Sequence, residues 1–278
     1  MGVYLRPQTL AEALAALEST AYTVLAGGTD FYPARIGQAV SEPVLDITAI
    51  AALRGIQDEG ARWRIGATTT WTDIVRARLP AQLHGLQSAA AQIGGVQVQN
   101  SGTVAGNVCN ASPAADGIPA LMALDAQVEL ASRAGVRSLA LTEFVRGSRN
   151  TARLASELVS ALLIPKRDAA RASFLKLGNR RYLVISIAMV AAVIEVDASR
   201  LVRHAAIAVG SCSAVARRLG ALERKLIGRT ACAGLSDLVE ASDLFALTPI
   251  DDLRGSAAYR RDAALTLVKR AIAQTLHE

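Results

Sequence analysis

With 278 residues, 51% of them hydrophobic but only 4% aromatic, the chain can bury two compact units built from Ala, Val, Leu and Ile, and it offers few stacking platforms for nucleic acid. Lys and Arg number 30 against 24 Asp and Glu, a formal charge of +6, yet the basic residues are dispersed among acids, so a nucleic-acid footprint is not expected and the excess suits a face toward an acidic partner. No apolar run approaches the roughly 20 residues of a membrane span, and Cys109, Cys212 and Cys232 are too scattered for a disulfide framework or a CxxC metal site, which fits a reducing compartment.

The opening residues lack the basic end, apolar stretch and cleavage site of a secretory signal, so a cytoplasmic location is expected, with export beside a partner left open. "TLAEALAALES" has apolar residues at 10, 13, 14 and 17 behind Thr9 as N-cap, the pattern of an amphipathic helix. "YTVLA" is a short strand entering the turn Gly27-Gly28-Thr29-Asp30, and "EPVLDIT" is another, so the first fifty residues resemble a small βαβ unit. After a loop near Glu59 and Gly60, "RWRIGATTTWTDIV" reads as strand then helix; residues 80 to 94 have helical spacing and stop at Gly94-Gly95. "VQNSGTVAGNVCNASPAAD", Val98 to Asp116, reads as neither helix nor strand.

Beyond it come a helix through Ala123, the strand "AQVELAS" and the strand "LVSALLIP", which Pro165 ends. A boundary is expected at about 165 to 172. "ASFLKLG", "ISIAMVAAVIEV" and "VRHAAIAVGSCSAVARRL" read as sheet strands leading into helices, and "DAALTLVKRAIAQTLHE" closes the chain as a packed helix. His84, His204 and His277 have no metal-site spacing, so all three are expected to be structural or exposed.

Two glycine-bearing segments carry the chemistry. Gly27 and Gly28 follow a strand directly; glycine lets backbone amides approach a ligand, and consecutive N–H groups form a nest for anions, although a strand followed by two glycines is also an ordinary tight turn. Gly102-Thr103-Val104-Ala105-Gly106-Asn107, with Ser112-Pro113 and Asp116 behind it, adds hydroxyls, an amide and a carboxylate suited to a polyol hydroxyl. Two such loops are able to grip both halves of a pyrophosphate. There is no GxGxxG opening a helix and no GxxxxGK[ST], which disfavours a Rossmann site or a P-loop.

The paired segments "LAGGTDFYP" and "GGVQVQNSGTVAGNVCNASPAADGIPALMALDAQVEL" closely resemble the FAD-binding medium subunit of the molybdenum hydroxylases, the group of carbon monoxide dehydrogenase and xanthine dehydrogenase. The resemblance runs over nearly the whole chain and is most specific in G-T-x-x-G-N followed by S-P-x-x-D. It implies an α+β, FAD-binding fold of the vanillyl-alcohol-oxidase (PCMH) type over 1–168, with subdomains of about 1–55 and 56–168. Residues 169–278 would form a domain of three antiparallel strands and a helical bundle. It further implies FAD held by Leu25, Ala26, Gly27, Gly28, Thr29, Asp30, Ile93, Gly102, Thr103, Ala105, Gly106, Asn107, Ser112, Ala115 and Asp116. Val159 matches a position near the adenine and Lys176 one close to the flavin. By the same resemblance the chain is an electron-transfer subunit without its own catalytic residues or metal. A molybdopterin-bearing large subunit performs the substrate chemistry, a [2Fe–2S] small subunit relays electrons, and the assembly is a dimer of heterotrimers.

Two departures from the family pattern stand out: Ala105 replaces a glycine, tolerable only if that backbone takes an ordinary dihedral, and Val184 replaces an acidic residue. They motivate the alternative of a scaffold that has lost FAD, beside that of a stand-alone flavin oxidoreductase of the same fold. Several residues have two readings. Asp30 and Asp116 either cap the following helices or face the cofactor; by sequence alone Lys176 is a surface lysine; Arg180-Arg181 pair with a phosphate or border a solvated turn; Cys109 lacks an activating neighbour and reads as small-residue packing.

Overall fold

The computed structural model describes residues 3–277, with the side chain of residue 277 outside the description. Three larger sheets, a two-stranded hairpin and the helices between them position the cleft. The first is a parallel sheet of β1 (Tyr4–Leu5), β2 (Thr23–Leu25) and β3 (Val44–Asp46), with β3 central. Helix α1 (Leu10–Ser19) buries Ala13, Leu14, Ala16 and Leu17 against it. Thr9 accepts the Glu12 amide at 3.2 Å, and the Glu12 carboxylate accepts the Gln8 amide at 2.9 Å, which closes the helix start. The two-residue β1 escaped the sequence pattern because it is exposed and too short to show a period.

β4 (Ile56–Asp58) and β5 (Arg62–Gly66) follow, then α2 (Trp71–Arg76), α3 (His84–Ala90), α4 (Val96–Ser101), α5 (Val104–Asn110) and α6 (Gly117–Ala123). The expectation for Val98–Asp116 is corrected here: most of that stretch is helical. Short helices of small residues carry no apolar period, so the pattern was invisible, and Thr103 acts as N-cap by accepting the Gly106 amide at 3.1 Å. β6 (Gln127–Ser132), β7 (Gly135–Ala140), the one-turn α7 (Leu141–Phe144) and the hairpin β8 (Val145–Gly147) and β9 (Asn150–Thr151) lead to β10 (Leu158–Pro165). β10 is the middle strand of an antiparallel sheet ordered β4-β5-β10-β6-β7.

The third sheet contains β11 (Ala170–Leu177), β12 (Ala188–Val196), β13 (Val202–Gly210) and β14 (Arg217–Arg218), all antiparallel; the last adds a two-residue strand to the three expected. "AMVAAVIEV" reads as one apolar run because both faces of this sheet are covered. Ala188, Val190, Ala192 and Ile194 pack toward α8 (Gly220–Leu226) and α9 (Ala257–His277), which begins five residues before the expected start at 262. Met189, Ala191 and Val193 pack toward the middle core, where Ala170, Ala172, Ala206 and Ala208 keep the surface low enough for α3 and α6. At Gly85 of α3 a Cβ would lie 3.1 Å from that of Ala172 and 3.0 Å from the Ser173 carbonyl oxygen.

Asp125, in the left-handed region at φ +53, ties the end of α6 to this sheet. Its carboxylate accepts Arg218 Nη1 at 2.8 Å and Arg167 Nη2 at 3.4 Å, with His204 Nε2 3.3 Å away. Burial alone would raise its pKa, but His204 and Arg218 win and hold the carboxyl well below the ordinary range. His204 is thus part of a structural cluster, while the ring of His84 sits 3.2 Å from the Leu79 carbonyl near the surface.

Candidate functional site

The two glycine-bearing segments, remote in sequence, meet. A Cβ on Gly27 would lie 2.0 Å from the Ser101 carbonyl oxygen, and one on Gly102 would lie 2.8 Å from the Val98 oxygen and 3.4 Å from Thr29 Oγ1. Gly28 has φ +69, a left-handed backbone that favours glycine, with the exposed Tyr32 ring beside it. The second segment is stitched in place through the strand-to-helix connection after β5: the Trp71 amide donates to the Gly102 carbonyl at 3.1 Å and the Val104 amide to the Thr69 carbonyl at 2.9 Å.

Between them runs a cleft of about 700 Å³, in the size range of small-molecule sites. Leu25, Ala26, Gly27, Gly28, Thr29 and Asp30 form one wall, Ile93, Gly102, Thr103, Ala105, Gly106 and Asn107 the other, and Val159 enters from β10. Buried Trp71 supports the floor, its ring 3.4 Å from where a Cβ on Gly102 would sit.

The walls differ chemically. Among the described residues, the amides of Gly27, Gly28, Thr29 and Asp30 have no protein acceptor, so four donors are available to an anion. The second turn has no such row. Val104 donates to Thr69, Ala105 to Ala67 at 3.4 Å, Gly106 to Thr103 Oγ1 and Asn107 to the Thr103 carbonyl at 3.0 Å. What this wall offers is the Thr103 hydroxyl proton and the Asn107 side chain, whose buried Oδ1 has no partner. Ala105 lies inside α5 with a helical dihedral and its methyl in the core, so the condition set by its replacement of glycine is met.

Ser112, Ala115, Asp116 and Lys176 do not line the cleft. Asp116 precedes α6 without capping it; its carboxylate accepts Lys176 Nζ at 2.6 Å and the Ser186 hydroxyl. Both members of the pair are 7% exposed, which corrects the reading of Lys176 as a surface lysine. Burial pushes the Asp116 carboxyl above its ordinary value, against the pull of Lys176 and Ser186. Lys176 Nζ also lies 3.3 Å from the Gln92 carbonyl, one residue before the cleft-lining Ile93. The Pro113 carbonyl accepts the Ser211 amide at 3.0 Å, and Ser112 Oγ accepts the Ala114 amide at 3.3 Å. The segment behind the second turn is therefore bolted to the third sheet.

Asp30 caps nothing with its side chain; its carboxylate meets Arg149 Nη2 at 3.1 Å. Arg180 donates to the Leu183 carbonyl and Arg181 lies 5.2 Å over the Tyr182 ring, so this pair borders an exposed turn outside the cleft. Val184 is half-buried against Gly178, where a Cβ would lie 2.4 Å from its methyl. Cys109 lines the cleft as a neutral thiol, pushed up to about 11 by burial. Trp71, Asn110, Arg149 and Leu158 also line it and were missed. Trp71 carried a faint signal, as a lone large aromatic opening a helix; Arg149 carried none.

Free amides, a partnerless amide oxygen and glycine contacts that a methyl would fill together suit a ligand bearing phosphate and hydroxyl groups. Comparison with known proteins agrees. Residues 1–167 match the family model described as FAD binding domain in molybdopterin dehydrogenase, and residues 173–275 match the CO dehydrogenase flavoprotein C-terminal domain. The chain is 35% identical over 204 residues to the nicotinate dehydrogenase FAD-subunit of Eubacterium barkeri, covering 70% of this chain and 69% of that protein. It is 30% identical to the glyceraldehyde dehydrogenase medium chain of Sulfolobus acidocaldarius, covering 96% of each. Among solved structures, reconstituted CO dehydrogenase from Oligotropha carboxidovorans contains a chain that superposes with a TM-score of 0.91 at 26% identity, covering 99% of this chain and 98% of that one.

Proposed function

This chain belongs to the family of FAD-binding subunits of the molybdopterin dehydrogenases, and from that premise we propose that it is the electron-transfer subunit of its complex, placed between a [2Fe–2S] small subunit and an external acceptor. A molybdopterin-bearing large subunit carries the substrate chemistry in this reading. The assembly is a cytoplasmic dimer of heterotrimers, and the chain divides into an FAD-binding unit at 1–168, with subdomains of about 1–55 and 56–168, and a C-terminal unit at 169–278. Among the described residues no helix is long and apolar enough to cross a membrane.

Bound FAD supplies one- and two-electron redox chemistry; the protein supplies binding and orientation. The four free amides of Gly27 to Asp30 would hold the diphosphate, and Thr103 and Asn107 would hold hydroxyls of the sugar chain. Val159 would border the adenine. Asp116, Lys176, Ser112 and Ala115 serve from behind the wall, where Lys176 fixes the Gln92–Ile93 backbone that faces the ligand. The observation that carries this reading is the contact of the two turns at Gly27 and Ser101 beside four unused amides. The scaffold alternative loses its motive at Ala105, which sits in a helix without strain.

The test is reduction of the flavin under anaerobic conditions. In the assembled complex, substrate should bleach the visible flavin absorption, whereas the same substrate should leave the isolated, FAD-loaded chain fully oxidised. Bleaching of the isolated chain by substrate would establish the stand-alone oxidoreductase instead.

A further inference from the structure

Three arginines line the cleft, and two of them are committed locally. Arg35 is held by Glu42 at 2.7 Å and the Phe31 carbonyl at 2.9 Å, and Arg153 donates to the carbonyls of Glu157 at 2.7 Å and Leu154 at 3.1 Å. Arg149 is different. It projects from the β8–β9 turn with φ +54, a conformation that costs a non-glycine residue about 1–2 kcal/mol and persists only where the surroundings impose it. Its amide imposes it by donating to the Asn110 carbonyl at 3.0 Å, at the end of α5. From there the guanidinium touches Asn110 Oδ1 at 3.4 Å and reaches Asp30 Oδ2 at 3.1 Å. One side chain thus spans from the wall built by α5 to the wall built by the glycine turn, at the cleft's edge.

We propose that Arg149 and Asp30 form a latch that retains the bound dinucleotide, a role that rests on the assignment of this cleft to FAD. Both side chains are more than half exposed, 65% and 53%. An exposed pair of this kind is worth little, so the latch opens easily for the cofactor to enter. Entry and release alike require the pair to part, so the latch slows both by the same small factor. Arg149 also neutralises the carboxylate that would otherwise stand alone beside a diphosphate, so the first turn's four amides face the phosphates without an opposing charge.

The test is the rate of FAD release from the assembled complex, followed by the rise in flavin fluorescence after a large dilution at which released FAD does not rebind, together with the melting temperature of the FAD-free form. Arg149→Gln and Asp30→Asn should each speed release about two- to five-fold, the scale of one exposed ion pair. The double variant should be no faster than either single one, and the exchange Asp30→Arg with Arg149→Asp should return the rate toward the parent value. Added salt should speed release more from the parent than from the variants. Unchanged release in both single variants, rates that multiply in the double one, or slower release in Asp30→Asn, as expected of a carboxylate that only repels phosphate, would each overturn the latch while leaving the FAD assignment intact. Failure of the parent chain to take up FAD overturns the assignment and the latch together.

Discussion

The cleft lining and the cluster just behind it are built on opposite plans. The lining rests on backbone: Gly27 and Gly102 in contact, four unused amides, and charged side chains that are mostly engaged with one another or with carbonyls. The cluster behind is side chain: a buried lysine and aspartate joined at 2.6 Å, a serine on the same carboxylate, and the Asp125 network at the far end of α6. A ligand that brings its own negative charge needs donors free of permanent countercharge. The structure that holds those donors still must be rigid, and buried charges that are satisfied only in one arrangement impose rigidity.

The contrast predicts that stability follows the cluster and cofactor affinity follows the lining. Lys176→Met should have the largest effect, because it strands the Asp116 carboxylate in a buried site; a loss of about 3–5 kcal/mol is expected in chemical denaturation. Adding Asp116→Asn should recover part of it. An unchanged denaturation midpoint for Lys176→Met would show that the pair does not bolt the start of α6 to the third sheet.

Asp125→Asn should cost about 1.5–3 kcal/mol at neutral pH, since asparagine tolerates the left-handed backbone but gives up the charge-assisted bonds. The pH dependence has a definite sign. A carboxyl whose folded pKa is depressed contributes stability that is present above its unfolded value and lost as pH falls below it. The gap between parent and variant should therefore shrink as the pH drops below about 4. A gap that widens on acidification would contradict the assignment of that network.

Thr103→Val sharpens the comparison from the other side, because Thr103 belongs to both plans. Loss of the cap on the Gly106 amide should cost about 0.5–2 kcal/mol of stability, and loss of the hydroxyl should weaken FAD binding as well. Thr103→Ser should restore both. A variant that loses stability but binds FAD as the parent does would confine Thr103 to the cap.

The two plans were unequally legible in the sequence. Glycines at 27, 28 and 102 announce close backbone approach by their identity, and the strand periods around them are plain. The family resemblance then joined two turns that no local pattern connects. The buried pair was hidden because lysine and aspartate are ordinarily solvated, and nothing local to "FLKLG" says that its lysine turns inward to meet a residue 60 positions away. The helices inside Val98–Asp116 were hidden for a different reason: Gly, Ala, Ser and Asn bury too little apolar surface to leave a period of 3.6. The difference has a chemical consequence: the amides that the start of α5 would leave open are taken by the Thr69 and Ala67 carbonyls and by Thr103, so only the first turn keeps a free row of them.

The convergence of the two turns on one cofactor is tested most directly by equilibrium titration of the FAD-free chain with FAD, in the parent and in Gly27→Ala. The parent should bind close to one FAD per chain. The alanine methyl, placed 2.0 Å from the Ser101 oxygen, should force the turns apart and weaken binding by about 1–3 kcal/mol, with the melting temperature of the FAD-free form changing far less than in Lys176→Met. Equal FAD affinity in the parent and in Gly27→Ala would contradict the account.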